Sequence, residues 1–251
     1  MIIAVVDTDP KEPVPVTAAA GRVSGAGHAA AVDGSALALV TLRLEPGVDG
    51  GVGDPERDTL LFVPEGQVTL ALEDGEHRLG PGGAAALVEA GAAGTVSAET
   101  AASVILATVG EGGVDLHAPM GAAEAVTALE AVAPGQATGS RSFQVLYGPH
   151  NGCVRATLFV GYIPPGRAPW HYHLYDEIVW VLRGSGRLHL RGREPEDLRA
   201  GCAFRLRPRE VHVVENLSPD EELAVLGLFT PAGSPSAAYL EPGVLAEYRI
   251  G

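Results

Sequence analysis

The chain predicts an all-β protein built from two tandem barrels or sandwiches, and three observations carry that prediction. The sequence repeats on itself at an offset of about 118 residues: Pro46-Gly47 answers Pro165-Gly166, Gly66 answers Gly184, and Gly82 answers Gly201. Between these markers both halves read as short apolar segments of alternating character, the period-two pattern of half-buried strands. Turns such as Glu73-Asp74-Gly75 and Gly80-Pro81-Gly82-Gly83 break the segments at intervals expected of a barrel or sandwich.

In chain order, the first repeat offers strands at 37–44, 59–63 and 67–72, and the second answers with 155–163, 178–182 and 187–190. The stretch 114–140 between them carries the alanine-rich run 121–133, closed by Pro134-Gly135, which predicts a linker helix of about three turns packed through Val126, Leu129 and Val132. The expected division is 1–113, a first barrel; 114–140, a linker; and 141–251, a second barrel opened by a strand at 143–147. Residues 202–207 alternate like a strand, and 222–229 form a last apolar one. The proline-rich tail from Thr230 is expected to fold across a barrel mouth or onto the neighbouring barrel, or to hang loose, with Tyr239 and Tyr248 as the groups placed to meet a pocket.

Composition narrows the function. A chain of 251 residues with 46% hydrophobic content can build real cores, and its net charge of −14 argues against nucleic acid, whose binding depends on neutralising phosphates. Nothing in it has the length of a membrane-spanning run or the basic start of a signal peptide, so a cytoplasmic protein with no membrane partner is expected. In that setting Cys153 and Cys202 are expected as buried thiols. No phosphate-cradling glycine loop is present, and no serine or lysine nucleophile stands in a recognisable constellation.

The chemistry gathers between Gly166 and Asn216. His171 and His173 lie two apart on a strand, so both side chains point to one face, and Glu177 can join them if the residues between them bend. His212 arrives from a second segment, after the turn at Pro208. Three neutral imidazoles and a carboxylate suit a divalent first-row ion and leave room for water or substrate in an octahedral shell. His28, His77, His117, His150 and His189 have no comparable pattern and read as ordinary surface or packing residues.

These residues resemble the two motifs of the cupins. The first runs glycine, short spacer, HxH, glutamate, glycine, and is matched by Gly166, His171, His173, Glu177 and Gly184, with a spacer one residue shorter than usual. The second is matched by Gly201, His212 and Asn216. Arg207 and Arg209 stand where that motif usually has its proline and glycine, with Pro208 between them to keep a turn. The resemblance implies jelly-roll (double-stranded β-helix) barrels with the metal inside the second. In the first barrel the answering positions fall near Gly53, Pro55, Thr59 and Ala93 or Gly94, so that half is expected to be metal-free scaffold. Asp54, Glu56 and Asp58 beside it read as a solvated acidic loop.

Around the ligands, Trp170, Tyr172 and Tyr175 are expected to line the pocket or clamp a flat substrate, although Trp170 and Trp180 serve equally well as packing residues. Glu210, two residues before His212, is the candidate catalytic base if its strand faces inward. One divalent ion per chain is expected, Fe(II) or Mn(II) ahead of Ni(II), Cu(II) or Zn(II). The expected partner is a small, anionic or ring-containing substrate, and a homodimer is left open. Three functions follow from the ligand set and the resemblance: dioxygenase-type oxidative chemistry, which is favoured; redox-silent Lewis-acid chemistry of an isomerase, lyase or ureidoglycine-aminohydrolase-like enzyme; and small-molecule binding or sensing without catalysis.

Overall fold

The computed structural model describes residues 36–47, 49–110, 116–137 and 139–240. His28, Tyr248 and Val114, where the expected linker begins, lie outside them. The first half supplies β1 (Leu37–Leu44), β2 (Asp49–Val52), β3 (Asp58–Glu65), β4 (Val68–Leu72), β5 (Gly75–Leu79), β6 (Ala84–Val88), β7 (Gly94–Ala98) and β8 (Ala102–Val109), followed by β9 (Val126–Ala128). These make two antiparallel sheets, ordered β1-β8-β3-β6-β9 and β2-β7-β4-β5. Alternate residues of both sheets, among them Val40, Leu61, Leu70, Val96 and Leu106, close on one another as a single apolar core.

The second half repeats the plan with β10 (Gly135–Gln136), β11 (Ser142–Tyr147), β12 (Thr157–Ile163), β13 (Gly166–Arg167), β14 (His171–Tyr172), β15 (Asp176–Arg183), β16 (Ser185–Leu190), β17 (Glu196–Arg199), β18 (Ala203–Leu206), β19 (His212–Asn216), β20 (Leu223–Thr230) and β21 (Tyr239–Leu240). Its sheets run β10-β11-β12-β20-β15-β18 and β17-β16-β19-β14-β21, with β13 also on β19. The order β12-β20-β15-β18 reproduces β1-β8-β3-β6 strand for strand, as the sequence repeat requires. Repeated glycines mark equivalent turns: Gly66 (φ 77°) and Gly184 (φ 87°) are both left-handed, and a Cβ at Gly66 would stand 2.6 Å from the Ala101 carbonyl oxygen.

The barrels meet through the outer faces of their larger sheets. Leu37, Leu60 and Ile105 from the first and Leu158, Trp180 and Leu228 from the second belong to one buried apolar cluster. Trp180 is therefore a seam residue. Cys153 and Cys202 are buried and unbridged. No helix among the described residues is long and apolar enough to cross a membrane.

The expected linker helix over 121–133 does not form. In its place the chain runs extended as β9, which pairs with the otherwise open edge of β6, and then makes a single 3-10 turn, Leu129–Ala131. The Tyr147 hydroxyl donates to the carbonyl oxygens of Glu124 and Ala125 at 3.2 and 2.9 Å, and Leu87 N–H donates to Ala125 O at 3.0 Å. Those bonds take carbonyls that a helix would have used. A short alanine-rich helix is marginal by itself, so sheet-edge pairing wins over propensity.

Candidate metal centre

Strand pairing delivers the four ligands expected from sequence to one end of the second barrel's interior. His171 on β14 and His212 on β19 are direct register partners, and their rings lie 4.5 Å apart. His173 follows two residues on, its ring 5.0 Å from that of His212. Glu177 opens β15, where it pairs with Leu206 and Phe229. Gly227, on the adjacent strand, makes space for it, because a Cβ there would stand 3.0 Å from Glu177 Oε1 and collide with the Phe159 ring. All four side chains are buried.

Each imidazole is tied by its Nδ1–H to a nearby backbone carbonyl: His171 to Pro169 at 2.9 Å, His173 to Tyr175 at 2.9 Å, and His212 to Glu210 at 2.8 Å. This fixes the ring orientation and leaves Nε2 as the free nitrogen, the arrangement in which imidazole ligates. Burial holds His171 down to about 4 and His212 well below the ordinary histidine range, with the neighbouring imidazoles and Arg141 pushing the same way, so both are neutral at pH 7.

The loop that brings His212 home departs from the cupin-like sequence at Arg209, yet keeps the turn. Arg209 takes the left-handed conformation (φ 65°) that glycine adopts without strain, and its N–H donates to His173 O at 2.7 Å. One ligand loop thereby braces the other.

The residues fit a metal ion on an observation of their own. His173 Nε2 and Glu177 Oε2 face each other at 3.0 Å, which meets the distance for an ion pair. Even so, an N–H on that nitrogen would not aim at the carboxylate, and Nε2 has no hydrogen-bond partner. The distance and the angle disagree, and the angle decides, because a hydrogen bond weakens steeply when misaligned. Neighbouring ligands about 2.1 Å from an octahedral ion stand roughly 3.0 Å apart, so the separation suits two donors sharing a cation better than a pair bonded to each other. The side chains are gathered without being closed round a point: no group of three or more His, Cys, Asp or Glu side chains stands at metal-holding spacing among the described residues.

Above the ligands lies a cavity of about 90 Å³ lined by apolar groups such as Phe159, Phe204 and Val225, with Tyr175, Tyr162 and Arg141 as polar members. A single water needs ~10–15 Å³ on that measure, so the space suits a molecule of a few heavy atoms and excludes a polymer. Tyr175 lines it, sandwiched between His173 (centroids 4.0 Å) and Phe229 (3.9 Å). Trp170 and Tyr172 lie elsewhere: Trp170 meets His189 edge-on and carries Arg167 over its face, and Tyr172 stacks on Tyr239 of the returning tail. The tail does fold back as one expectation had it, with β21 pairing β14 and Pro235 and Ala238 closing one side of the cavity.

Glu210 also falls outside the cavity lining. Its carboxylate accepts from Arg207 N–H at 3.2 Å and its carbonyl holds His212, so its observed work is structural, closing the turn before β19. Arg141 is the cavity residue that sequence reading missed. It is a lone arginine in a turn before β11, and only the wrap of that turn over the barrel mouth brings it inside.

Residues 159–229 match the family model described as a cupin domain. The matched stretch lies within the second barrel and spans His171, His173, Glu177 and His212. No curated protein matches the chain in sequence. Among solved structures, a Bacillus subtilis oxalate decarboxylase variant superposes with a TM-score of 0.69 at 16% identity, covering 94% of this chain and 83% of that one. AerE from Microcystis aeruginosa gives 0.67 at 14%, covering 87% and 96%. Likenesses at these identities establish the fold alone, a tandem pair of β-barrels.

Neutral, buried histidines give the metal-free protein a definite pH response. The folded form of His171 sits near 4 against an ordinary value of 6.5, so the unfolded chain binds the proton more readily, and stability present above about 6.5 is lost as pH falls towards 4. The His171 shift alone corresponds to something on the order of 3 kcal/mol, and His212 adds to it in the same direction. Urea unfolding of chelator-treated protein is expected to show its midpoint falling between pH 7.5 and 5. A midpoint that is flat or rising over that range contradicts the assignment of neutral ligands.

Proposed function

We propose that this chain is a metal-dependent two-barrel cupin enzyme that transforms a small organic molecule in its second barrel, with oxidative, dioxygenase-type chemistry favoured. In this reading 1–113 is a scaffold barrel whose metal site is lost, 114–140 is the connection, and 141–251 carries the site. The carrying observation is the set of three Nδ1-tethered imidazoles with Glu177 at the floor of a small apolar cavity. Support for the scaffold role comes from the first barrel's interior, which is filled by Val and Leu side chains where the second has its cavity.

His171, His173, His212 and Glu177 would hold the ion, Fe(II) or Mn(II) by preference. A divalent first-row ion there supplies charge to polarise a substrate oxygen and, when redox-active, a route for electrons to dioxygen. The chain's own residues do the rest. Backbone carbonyls of Pro169, Tyr175 and Glu210 keep the imidazoles aimed. Tyr175, packed between His173 and Phe229, fixes one wall, and the apolar lining limits water around the reacting groups.

The test is dissolved-oxygen consumption by protein loaded with Fe(II) or Mn(II), over a panel of catechols, enediols and short carboxylates including oxalate, each run again under nitrogen. Oxygen uptake that depends on both a panel compound and the metal is expected. Equal turnover of the compound under nitrogen, or full activity with Zn(II), would sink the oxidative reading.

A further inference from the structure

The cavity is lined by a cation two of whose donors have no hydrogen-bond partner among the described residues. This is Arg141, and the two donors are its buried Nε and Nη2 atoms. Burial pushes the guanidinium down only to about 10, so it is charged at neutral pH. These two nitrogens form one edge of the guanidinium, the edge that grips a carboxylate with two parallel hydrogen bonds. The same barrel shows that edge in use: Arg205 binds Asp176 through Nε at 2.8 Å and Nη2 at 2.7 Å. Arg141 offers the same pair of donors to the cavity.

A buried charge with nothing opposite it is costly, and unsatisfied buried donors are rare enough in native proteins to require a reason. Glu177 is close enough to act on Arg141 electrostatically, but it does not satisfy these two donors. Arg141 and Ile163 also line a second, outer pocket that holds Arg167. Two guanidiniums thus line adjoining pockets in a chain of net charge −14, a local concentration of positive charge that favours small anions. Guanidinium favours flat anions with two oxygens, and the cavity admits only a few heavy atoms.

We propose that the Nε/Nη2 edge of Arg141 is the receptor for the carboxylate of a small anionic substrate, which it holds inside the second barrel beside the four metal ligands. The inference rests on the reading of that cavity as the active site, and Arg141 is its specificity-determining group. A neutral analogue of the same shape leaves the guanidinium unpaired and is rejected.

The experiment is isothermal titration with acetate and with its neutral isostere acetamide, on Mn(II)-loaded and on chelator-treated protein, for the wild type, Arg141→Met and Arg141→Lys. Acetate is expected to bind the wild type saturably and acetamide to bind far more weakly. Arg141→Met is expected to weaken acetate by roughly ten- to hundred-fold, and Arg141→Lys, which keeps charge but loses the two-donor edge, by an intermediate amount. Elemental analysis is expected to show unchanged metal in both variants. Acetate binding that is absent from the wild type, or equal in wild type and Arg141→Met, overturns the proposal. If the wild type takes up no metal but still binds acetate through Arg141, the metal-enzyme reading fails and the receptor stands. If metal binds normally and acetate ignores Arg141, the reverse holds.

Discussion

Replacing His212 by alanine is expected to strip the protein of metal, taking its content from about one ion per chain towards none. His212 is buried, stands opposite His171 in the ladder and is aimed by Glu210 O, so its Nε2 is a fixed member of the set. Even mutations outside the ligand shell cost 10–100-fold in affinity, roughly, and loss of a ligand costs more. The content should fall to near zero rather than by half, because the first barrel places Gly94, at the head of β7, where the second has His212. Elemental analysis of protein purified without added metal, for wild type, H212A and H173A, measures this directly. Two ions per wild-type chain, or one ion retained in both variants, would show that the metal lies elsewhere.

The second large effect concerns the seam between barrels. Residues 134–251 expressed alone are expected to be insoluble or to self-associate. Separation uncovers Leu158, Val160, Ile178, Trp180, Leu226 and Leu228, all buried against the first barrel's larger sheet. Burial of such side chains contributes roughly 1.5–3 kcal/mol each, so the six together rival the whole stability of an ordinary domain. Sedimentation of the fragment beside the full chain tests this. A soluble, monomeric, metal-loaded fragment would remove the scaffold role from the first barrel.

Much of this architecture was legible before any coordinates. The offset repeat gave two equivalent sets of strands, and the alternation around His171 and His173 gave one face for both imidazoles, because both depend on local period and spacing. The same alternation carries a lesson about Trp170 and Tyr172: if the histidines point in, their immediate neighbours point out, against His189 and Tyr239. The linker failed for a different reason. Helix propensity over 121–133 is a local quantity, whereas the open edge of β6 and the Tyr147 hydroxyl that claim this segment are supplied from elsewhere in the chain. Arg141 was illegible for the same cause, since nothing beside it in sequence distinguishes a cavity guanidinium from a solvated one. Glu210 had the right spacing for a base, but its carboxylate is taken by the backbone of its own turn.

The pairing of His171 with His212 has a consequence for how the protein can be made. Side chains alternate across a strand, so a slip of one residue between β14 and β19 would send one imidazole to the opposite face of the sheet. On its other edge β19 pairs β16, with Leu190 opposite His212 and Gly186 opposite Asn216, so an error in β19 propagates along the sheet. A metal-binding assay on freshly refolded material therefore counts chains whose ladder has closed correctly. Misassembled molecules would keep ordinary β-sheet spectra while taking up no ion, and metal stoichiometry becomes a measure of folding fidelity as well as of ligand chemistry.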